Sequence, residues 1–427
     1  MTHWEMAPSG PLRGKIRVPG DKSVSHRSLL FNAFAHGEAR VEGLLRGLDV
    51  QATWGCLRAL GVQIADEGDA VIIRGVGGRF QEPHSVLDCG NSGTTFRLLC
   101  GLLAGQPIFS VLTGDKHLKK RPMKRVTGPL ETMGARFWGR ENASFPPIAI
   151  QGGHLQACDY TSPIASAQVK TAMLLATLQS EGVALFKEPH RSRDHSERML
   201  RAMGVEIQEL GDGSLKIQGG QPLEARNVVV PGDISSAAFF MVAASIVPGS
   251  DLCIEGVGLN PTRTGILDAL WEMGADICVE DEREVSGERI GDLRVRCTEL
   301  KGTRIGGALI PRLVDELPVL AVAAACADGE TSIRDAAELR VKESDRIAAT
   351  AAGLAVNGID VEETPDGMTI QGGALQGGHV SSAGDHRIAM AFAVAALAGG
   401  ESRIDDVANV QTSFPNFRGL LSEVSGG

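Results

Sequence analysis

A chain of 427 residues is too long for one ordinary core, and two domains of roughly 200 residues each are the natural expectation. A net charge of -10 argues against general nucleic-acid binding, because the phosphate backbone would be repelled. Aromatic residues are only 4% of the chain, which leaves little for a base-stacking surface. The first ten residues lack the apolar core of a secretory signal. The apolar runs 317–327 and 388–398 fall short of the ~18–20 residues that span a bilayer. Eight cysteines (56, 89, 100, 158, 253, 278, 297 and 326) show no CxxC or CxxH spacing, and several sit in apolar patterns as reduced buried thiols do. The reading is a cytoplasmic protein with no structural metal and no membrane partner.

In chain order, the first informative stretch is Val18-Pro19-Gly20-Asp21-Lys22-Ser23-Val24-Ser25-His26-Arg27. Pro-Gly-Asp closes a strand with a turn, and Asp21 or Ser23 can cap a helix over 23–34. Lys22, Ser23 and Arg27 then lie in or beside its first turn, where free N–H groups and the helix dipole favour an anion. The same opening recurs at Val230-Pro231-Gly232-Asp233 without the Lys and Arg. One copy of a repeated unit has been loaded with cations, which points to an anionic substrate.

A helix ending also recurs, with Gly61, Gly134, Gly204, Gly274 and Gly358 placed to stop a helix in the left-handed conformation before an alternating strand. Spacings of 73, 70, 70 and 84 residues suit a whole βαβαββ subdomain. Small-residue apolar helices are expected over 23–34, 94–103, 165–178, 235–246, 313–326 and 385–397, buried at the centre of each lobe. A sixth copy is split between the N-terminus and the segment after Gly400. Three copies per lobe give an α/β (α+β) protein with lobes 1–20 plus 231–427 and 21–230. If the buried helices run parallel, their N-termini line a shared cleft that stays open until an anion offsets their repulsion.

Four further segments fall at starts of central helices. Cys89-Gly90-Asn91-Ser92-Gly93-Thr94-Thr95-Phe96-Arg97 is a glycine-bearing turn that suits a phosphate or carboxylate, or a plain turn. In Lys116-His117-Leu118-Lys119-Lys120-Arg121-Pro122-Met123, Arg121-Pro122 is expected to open a helix; the alternative is a solvated charge run. Ser162 to Lys170 places Ser166 and Gln168 at a helix start, with simple capping as the alternative. Glu338 to Arg346 puts Lys342 and Arg346 four residues apart. On one helix these like charges would need an anion between them, unless Glu343 and Asp345 form surface ion pairs.

Together with Asp385-His386-Arg387-Ile388-Ala389-Met390, these segments resemble the 5-enolpyruvylshikimate-3-phosphate (EPSP) synthase family in order and spacing, from about residue 9 to 418. The resemblance implies a six-repeat, two-lobe inside-out α/β barrel. It also implies transfer of enolpyruvyl from phosphoenolpyruvate to the 5-hydroxyl of shikimate 3-phosphate, the sixth step of the shikimate pathway. Carried over by motif, shikimate 3-phosphate meets Lys22, Ser23, Arg27, Ser166, Ala167, Gln168, Arg193, Asp315 and Lys342. Phosphoenolpyruvate meets Lys22, Asn91, Gly93, Thr94, Arg121, Gln168, Glu343, Arg346, His386 and Arg387. Lys22, Asp315 and Glu343 are the implied catalytic residues, with Asp315 at the substrate hydroxyl and Glu343 at the methylene carbon. Neither cofactor nor metal is implied, and a monomer is the family default.

Two departures stand out: Gln411 replaces a Lys, and Glu338 an Asn, of some members. The resemblance also implies inhibition by glyphosate, because Gly93 leaves room beside the phosphoenolpyruvate site. Leu98, where many sensitive members have Pro, bears on the same pocket. The competing readings are UDP-N-acetylglucosamine enolpyruvyl transferase, which typically has Lys-Asn where Lys22-Ser23 stands, and a catalytically silent anion-binding paralogue.

Overall fold

The recurring glycines set the punctuation of the fold. Gly61, Gly134, Gly204, Gly274 and Gly358 all take positive φ, between 80° and 100°. Each directly follows the C-cap residue of a helix, where only glycine enters the left-handed region without cost. The computed structural model describes residues 3–426. One compact unit runs up to Asp21 and resumes at Pro231; the other is Lys22–Val230.

One repeat shows the pattern. Strand Leu87–Asp88 leads into the helix Gly93–Ala104 and the parallel strand Phe109–Thr113. The helix Lys124–Thr132 and the hairpin Arg136–Gly139 and Phe145–Gln151 complete the βαβαββ unit. Among the described residues, five four-stranded sheets share this order of a parallel pair followed by an antiparallel hairpin. A further sheet has three strands, because Ser402–Asp405 pairs parallel with Gly378–Ser381 and antiparallel with the N-terminal strand His3–Met6. Each unit also takes a strand from far along the chain. Val228–Val229 lies parallel to Val41–Glu42, and Arg13–Ile16 lies parallel to Asp251–Ile254.

The central helices are Lys22–Phe34, Gly93–Ala104 and Ala167–Thr177 in one unit, and Ile234–Ile246, Leu317–Ala325 and His386–Ala398 in the other. They are apolar nearly all round because sheets and outer helices cover them. Burying side chains such as Phe31, Phe96, Phe239 and Phe392 contributes about 1.5–3 kcal/mol each. A second set of glycines lets the hairpins close onto these helices. A Cβ on Gly152 or Gly372 would lie 2.0 Å from the Gln106 carbonyl oxygen or 1.6 Å from that of Ala327. At Gly101 a Cβ would stand 2.3 Å from the Ala172 carbonyl oxygen, so two central helices touch backbone to backbone.

The helix expected over 313–326 is broken. A short helix Ile310–Leu313 stops, Asp315 and Glu316 occupy the gap, and Leu317–Ala325 restarts with Pro318 in its first turn. Pro tolerates that position because its missing N–H has no intrahelical partner there. The helix expected from 165 starts at Ala167, with Ser166 as its cap accepting from the Val169 N–H at 3.4 Å. The first central helix starts one residue early, at Lys22, so Ser23 lies inside it and does not cap it.

Candidate active site

In the unit Lys22–Val230, the central helices present their first turns together. Gln168 Nε2 donates to Thr94 Oγ1 at 2.9 Å, linking the second residue of one helix to the second residue of another. With Gly101 against Ala172 further along, the two helices run parallel and their positive ends coincide. Ser92 caps the Gly93 helix by accepting from the Thr95 N–H at 3.1 Å. A chain of hydroxyls joins Thr95 to Thr53 at 2.6 Å and Thr53 to buried His26 at 2.7 Å, tying three helices together. Asn91 beside this turn donates to Asp115 at 2.7 Å.

The cations gather around those turns. Lys22 Nζ lies 3.2 Å from Asp49, whose backbone carbonyl accepts from Thr95 at 3.3 Å. Arg97, one turn into the Gly93 helix, donates to Gln168 Oε1 at 2.6 Å and to the Pro122 carbonyl at 3.3 Å. The Arg121 guanidinium lies over Gly93, with its Cζ 3.1 Å from where a Cβ would be. Arg27 is buried and donates to Ser196 at 2.7 Å, Thr171 at 2.9 Å and the Ser23 carbonyl at 3.1 Å. Arg193 is half-buried on a loop that Lys170 pins through Glu188 at 2.9 Å and the Ser192 carbonyl at 3.3 Å.

In the unit that resumes at Pro231, one guanidinium organises the carboxylates. Arg346, 1% exposed, meets Asp385 at 2.8 Å, Glu343 at 2.8 Å and Asp315 at 3.2 Å. Burial works against its charge, but Asp385, Glu343 and Asp315 outweigh burial and hold its pKa above the usual value. Burial likewise pushes the Asp385 carboxyl up, but Arg346 and His386 prevail and hold it below the ordinary range. Asp385 also caps the His386 helix, accepting from the Arg387 N–H at 2.9 Å. Arg387 reaches Asp315 at 3.9 Å, and His386 stands 3.9 Å from Asp385. Burial pushes the Lys342 ammonium down, against the pull of Asp315 and Glu338.

Three expectations about this region are overturned. Lys342 and Arg346 do not share a helix. Lys342 is extended after the 3-10 turn Ala337–Val341, and the helix begins at Arg346 with Asp345 as its cap. Lys342 lies 3.8 Å from Glu338, while Arg346 is held by Asp385, Glu343 and Asp315. Arg121-Pro122 does not open a helix either. Arg121 is extended after the 3-10 turn Leu118–Lys120, and the helix starts at Lys124. The alternative of surface ion pairs for Glu343 fails because its partner Arg346 is buried. Asp345 does form an outer pair, with Arg340 at 2.8 Å.

Asp49 and Arg97 join the site beyond the residues that the motifs imply. Arg97 had a legible signal, four residues after Gly93 and so on the same helix face. Asp49 had none, since an acidic residue in a first helical turn is ordinary. Ser23 and Thr94 are the second residues of their helices and Ala167 is the first of its own, and Gln411 is an exposed residue donating to the Pro415 carbonyl at 3.3 Å.

The family model described as EPSP synthase (3-phosphoshikimate 1-carboxyvinyltransferase) matches residues 6–421. The 3-phosphoshikimate 1-carboxyvinyltransferase of Geobacter sp. strain M21 is 55% identical over 427 residues, covering 99% of each chain. The solved EPSP synthase from Acinetobacter baumannii superposes with a TM-score of 0.89 at 45% identity, covering 99% of this chain and 98% of that one. The enolpyruvyl transferase NikO from Streptomyces tendae, at 18% identity and a TM-score of 0.80, covers 99% of this chain and 97% of its own and shares the inside-out α/β fold. Matched from end to end by sequence and by fold, the chain belongs to the EPSP synthase (3-phosphoshikimate 1-carboxyvinyltransferase) family of transferases.

Proposed function

We propose that this enzyme transfers the enolpyruvyl group of phosphoenolpyruvate to the 5-hydroxyl of shikimate 3-phosphate, releasing phosphate. The observation that carries the reading is the pair of carboxylates, Asp315 and Glu343, held on one buried guanidinium at 3.2 and 2.8 Å. Asp315 takes the proton of the 5-hydroxyl as its oxygen bonds to C2 of phosphoenolpyruvate, and Glu343 delivers a proton to the methylene carbon. That carbon then returns a proton to Glu343, which reforms the double bond as the C2–O bond to phosphate breaks. The two carboxyls divide these roles if their environments separate their pKa values.

Both substrates carry phosphate and carboxylate, about six negative charges in all, and Coulomb repulsion opposes their contact. Lys22, Ser23, Arg27, Ser166, Ala167, Gln168, Arg193, Asp315 and Lys342 hold shikimate 3-phosphate in this reading. Asn91, Gly93, Thr94, Arg121, Gln168, Arg346, His386 and Arg387 hold phosphoenolpyruvate with Glu343. Lys22 serves both and stabilises the leaving phosphate. Arg121 is poised for this by its place over the Gly93 helix start, where a planar fork suits a carboxylate or phosphate.

Phosphate release from phosphoenolpyruvate tests the reading. Turnover is expected with shikimate 3-phosphate and not with UDP-N-acetylglucosamine. Release with the nucleotide sugar alone, or with neither acceptor, overturns it.

A further inference from the structure

A second buried guanidinium lies in the unit that contains Asp315, and the reaction as described does not use it. Arg263 sits in a turn fixed by its own N–H donating to the Asn260 carbonyl at 2.8 Å. It is 3% exposed and donates to Asp21 at 2.9 Å, Asp233 at 3.2 Å and Ser235 Oγ at 2.6 Å. Glu316, fully buried, stands 3.9 Å away and accepts a short hydrogen bond from the same Ser235 hydroxyl. One guanidinium therefore serves three buried carboxylates, whereas of the three that Arg346 serves only Asp385 is buried.

The position of Glu316 gives this cluster a consequence for chemistry. Glu316 precedes the first turn of Leu317–Ala325 and directly follows Asp315 in the break between two helices. Asp315 in turn contacts Arg346 at 3.2 Å and Arg387 at 3.9 Å. Asp21 and Asp233 belong to the two crossover segments, which are tied by Asp21 N–H to the Pro231 carbonyl at 2.7 Å and Asp233 N–H to the Pro19 carbonyl at 2.9 Å. That paired backbone is a rigid abutment from which Arg263 reaches Ser235 and Glu316.

We propose that Arg263 is a positioning residue for the reaction, fixing through Ser235 and Glu316 the turn that presents the Asp315 carboxylate. The inference rests on the reading of Asp315 as the base. Arg263 fits the task because its fork holds several oxygens at fixed angles, whereas a lysine supplies the charge without the angles. Its charge also lies within Coulombic reach of Asp315. A displacement of about 1 Å at a reacting group costs on the order of a hundredfold in rate.

The test uses the full chain with Arg263→Lys and Ser235→Ala, reading phosphate-release kinetics, KM for each substrate and the thermal unfolding midpoint. Arg263→Lys is expected to fold and to lose roughly ten- to a hundredfold in kcat, with both KM values within about threefold of wild type. Ser235→Ala, which removes only the bridge, is expected to lose less kcat with the same unchanged KM. The double variant should lose less than the product of the two, because both act through one path. Wild-type kcat in a folded Arg263→Lys or Ser235→Ala overturns the proposal, as does a loss confined to KM. If Arg263→Lys does not fold, Ser235→Ala decides, and if neither folds the cluster is scaffold only and the proposal is overturned. Wild-type enzyme inert toward shikimate 3-phosphate would instead sink the proposed function.

Discussion

Arg346 concentrates the site's logic in one side chain, because the carboxylates it holds are assigned different work. Asp385 is fully buried and caps a helix, so it belongs to the frame, while Asp315 and Glu343 keep part of their surface open. Glu343→Gln is expected to lower kcat by about 10²–10⁴-fold, the usual worth of a positioned acid or base. Sugar-phosphate affinity by calorimetry should stay within a few-fold of wild type. Arg27→Ala should do the reverse and weaken that binding, since it strips a guanidinium from Ser196 and Thr171. A Glu343→Gln enzyme that failed to bind shikimate 3-phosphate would remove Glu343 from its assigned role. Gly93 carries a second expectation at this scale. An alanine Cβ there would stand 2.9 Å from Arg97 Nη1 and 3.1 Å from the Arg121 guanidinium, forcing both to shift. Glyphosate is longer than phosphoenolpyruvate and needs that space more. Gly93→Ala should raise its inhibition constant roughly tenfold or more, and KM for phosphoenolpyruvate less. Equal changes in both constants would contradict this.

At the scale of elements, two kinds of glycine do different jobs, and stability measurements separate them. Gly101 has an ordinary helical backbone, and its missing side chain is what lets the helices Gly93–Ala104 and Ala167–Thr177 meet. Gly204 has φ near 95° and open space where a Cβ would go, so only its backbone conformation needs glycine. Gly101→Ala should cost about 1–3 kcal/mol or more through overpacking and also lower activity, because it displaces the Gln168–Thr94 contact. Gly204→Ala should cost about 1–2 kcal/mol of left-handed strain with kcat unchanged. Urea unfolding with parallel kinetics checks both, and a Gly204→Ala enzyme with altered kcat would refute the separation.

For the whole molecule, the charge balance sets the response to acid. The carboxyls of Asp66, Asp212, Asp251, Asp366, Asp385 and Asp405 are all held below the ordinary value of 3.8. Arg46, Lys187 and Arg294 do this for Asp66, Asp212 and Asp251, and the Asp335 N–H and His379 for Asp366 and Asp405. A depressed folded-state value means the unfolded chain takes up protons first. The stability these groups contribute is therefore present above about pH 4 and lost as pH falls through their lowered values. Asp66 and Asp212 are exposed and Asp251, Asp366 and Asp405 only half-buried, where solvent screens them, so buried Asp385 carries most of the effect. Urea unfolding should be nearly flat from pH 7 to 5 as far as these groups act and should weaken steeply between about pH 4 and 2. Unchanged stability at the acid end would show that these pairs contribute nothing.

Local rules were enough to read the repeats. A glycine that ends a helix has one physical reason wherever it occurs, so the left-handed positions at Gly61, Gly134, Gly204, Gly274 and Gly358 were legible from spacing alone. Helices apolar on every face had to be central. Short-range spacing misled where long-range partners decide the conformation. Lys342 and Arg346 read as one helix face. The helix instead starts at Arg346, which is drawn inward by Asp385 and Asp315, 39 and 31 residues away in the chain. The break at Asp315 and Glu316 was equally hidden, because Glu316 is held by Ser235 and Arg263, more than fifty residues before it. Side-chain types and periodicity are local properties, so the sequence determined the repeats, the buried helices and the residue kinds of the site. Which carboxylate shares which guanidinium is a matter of distance in space, and only the tertiary structure decided it.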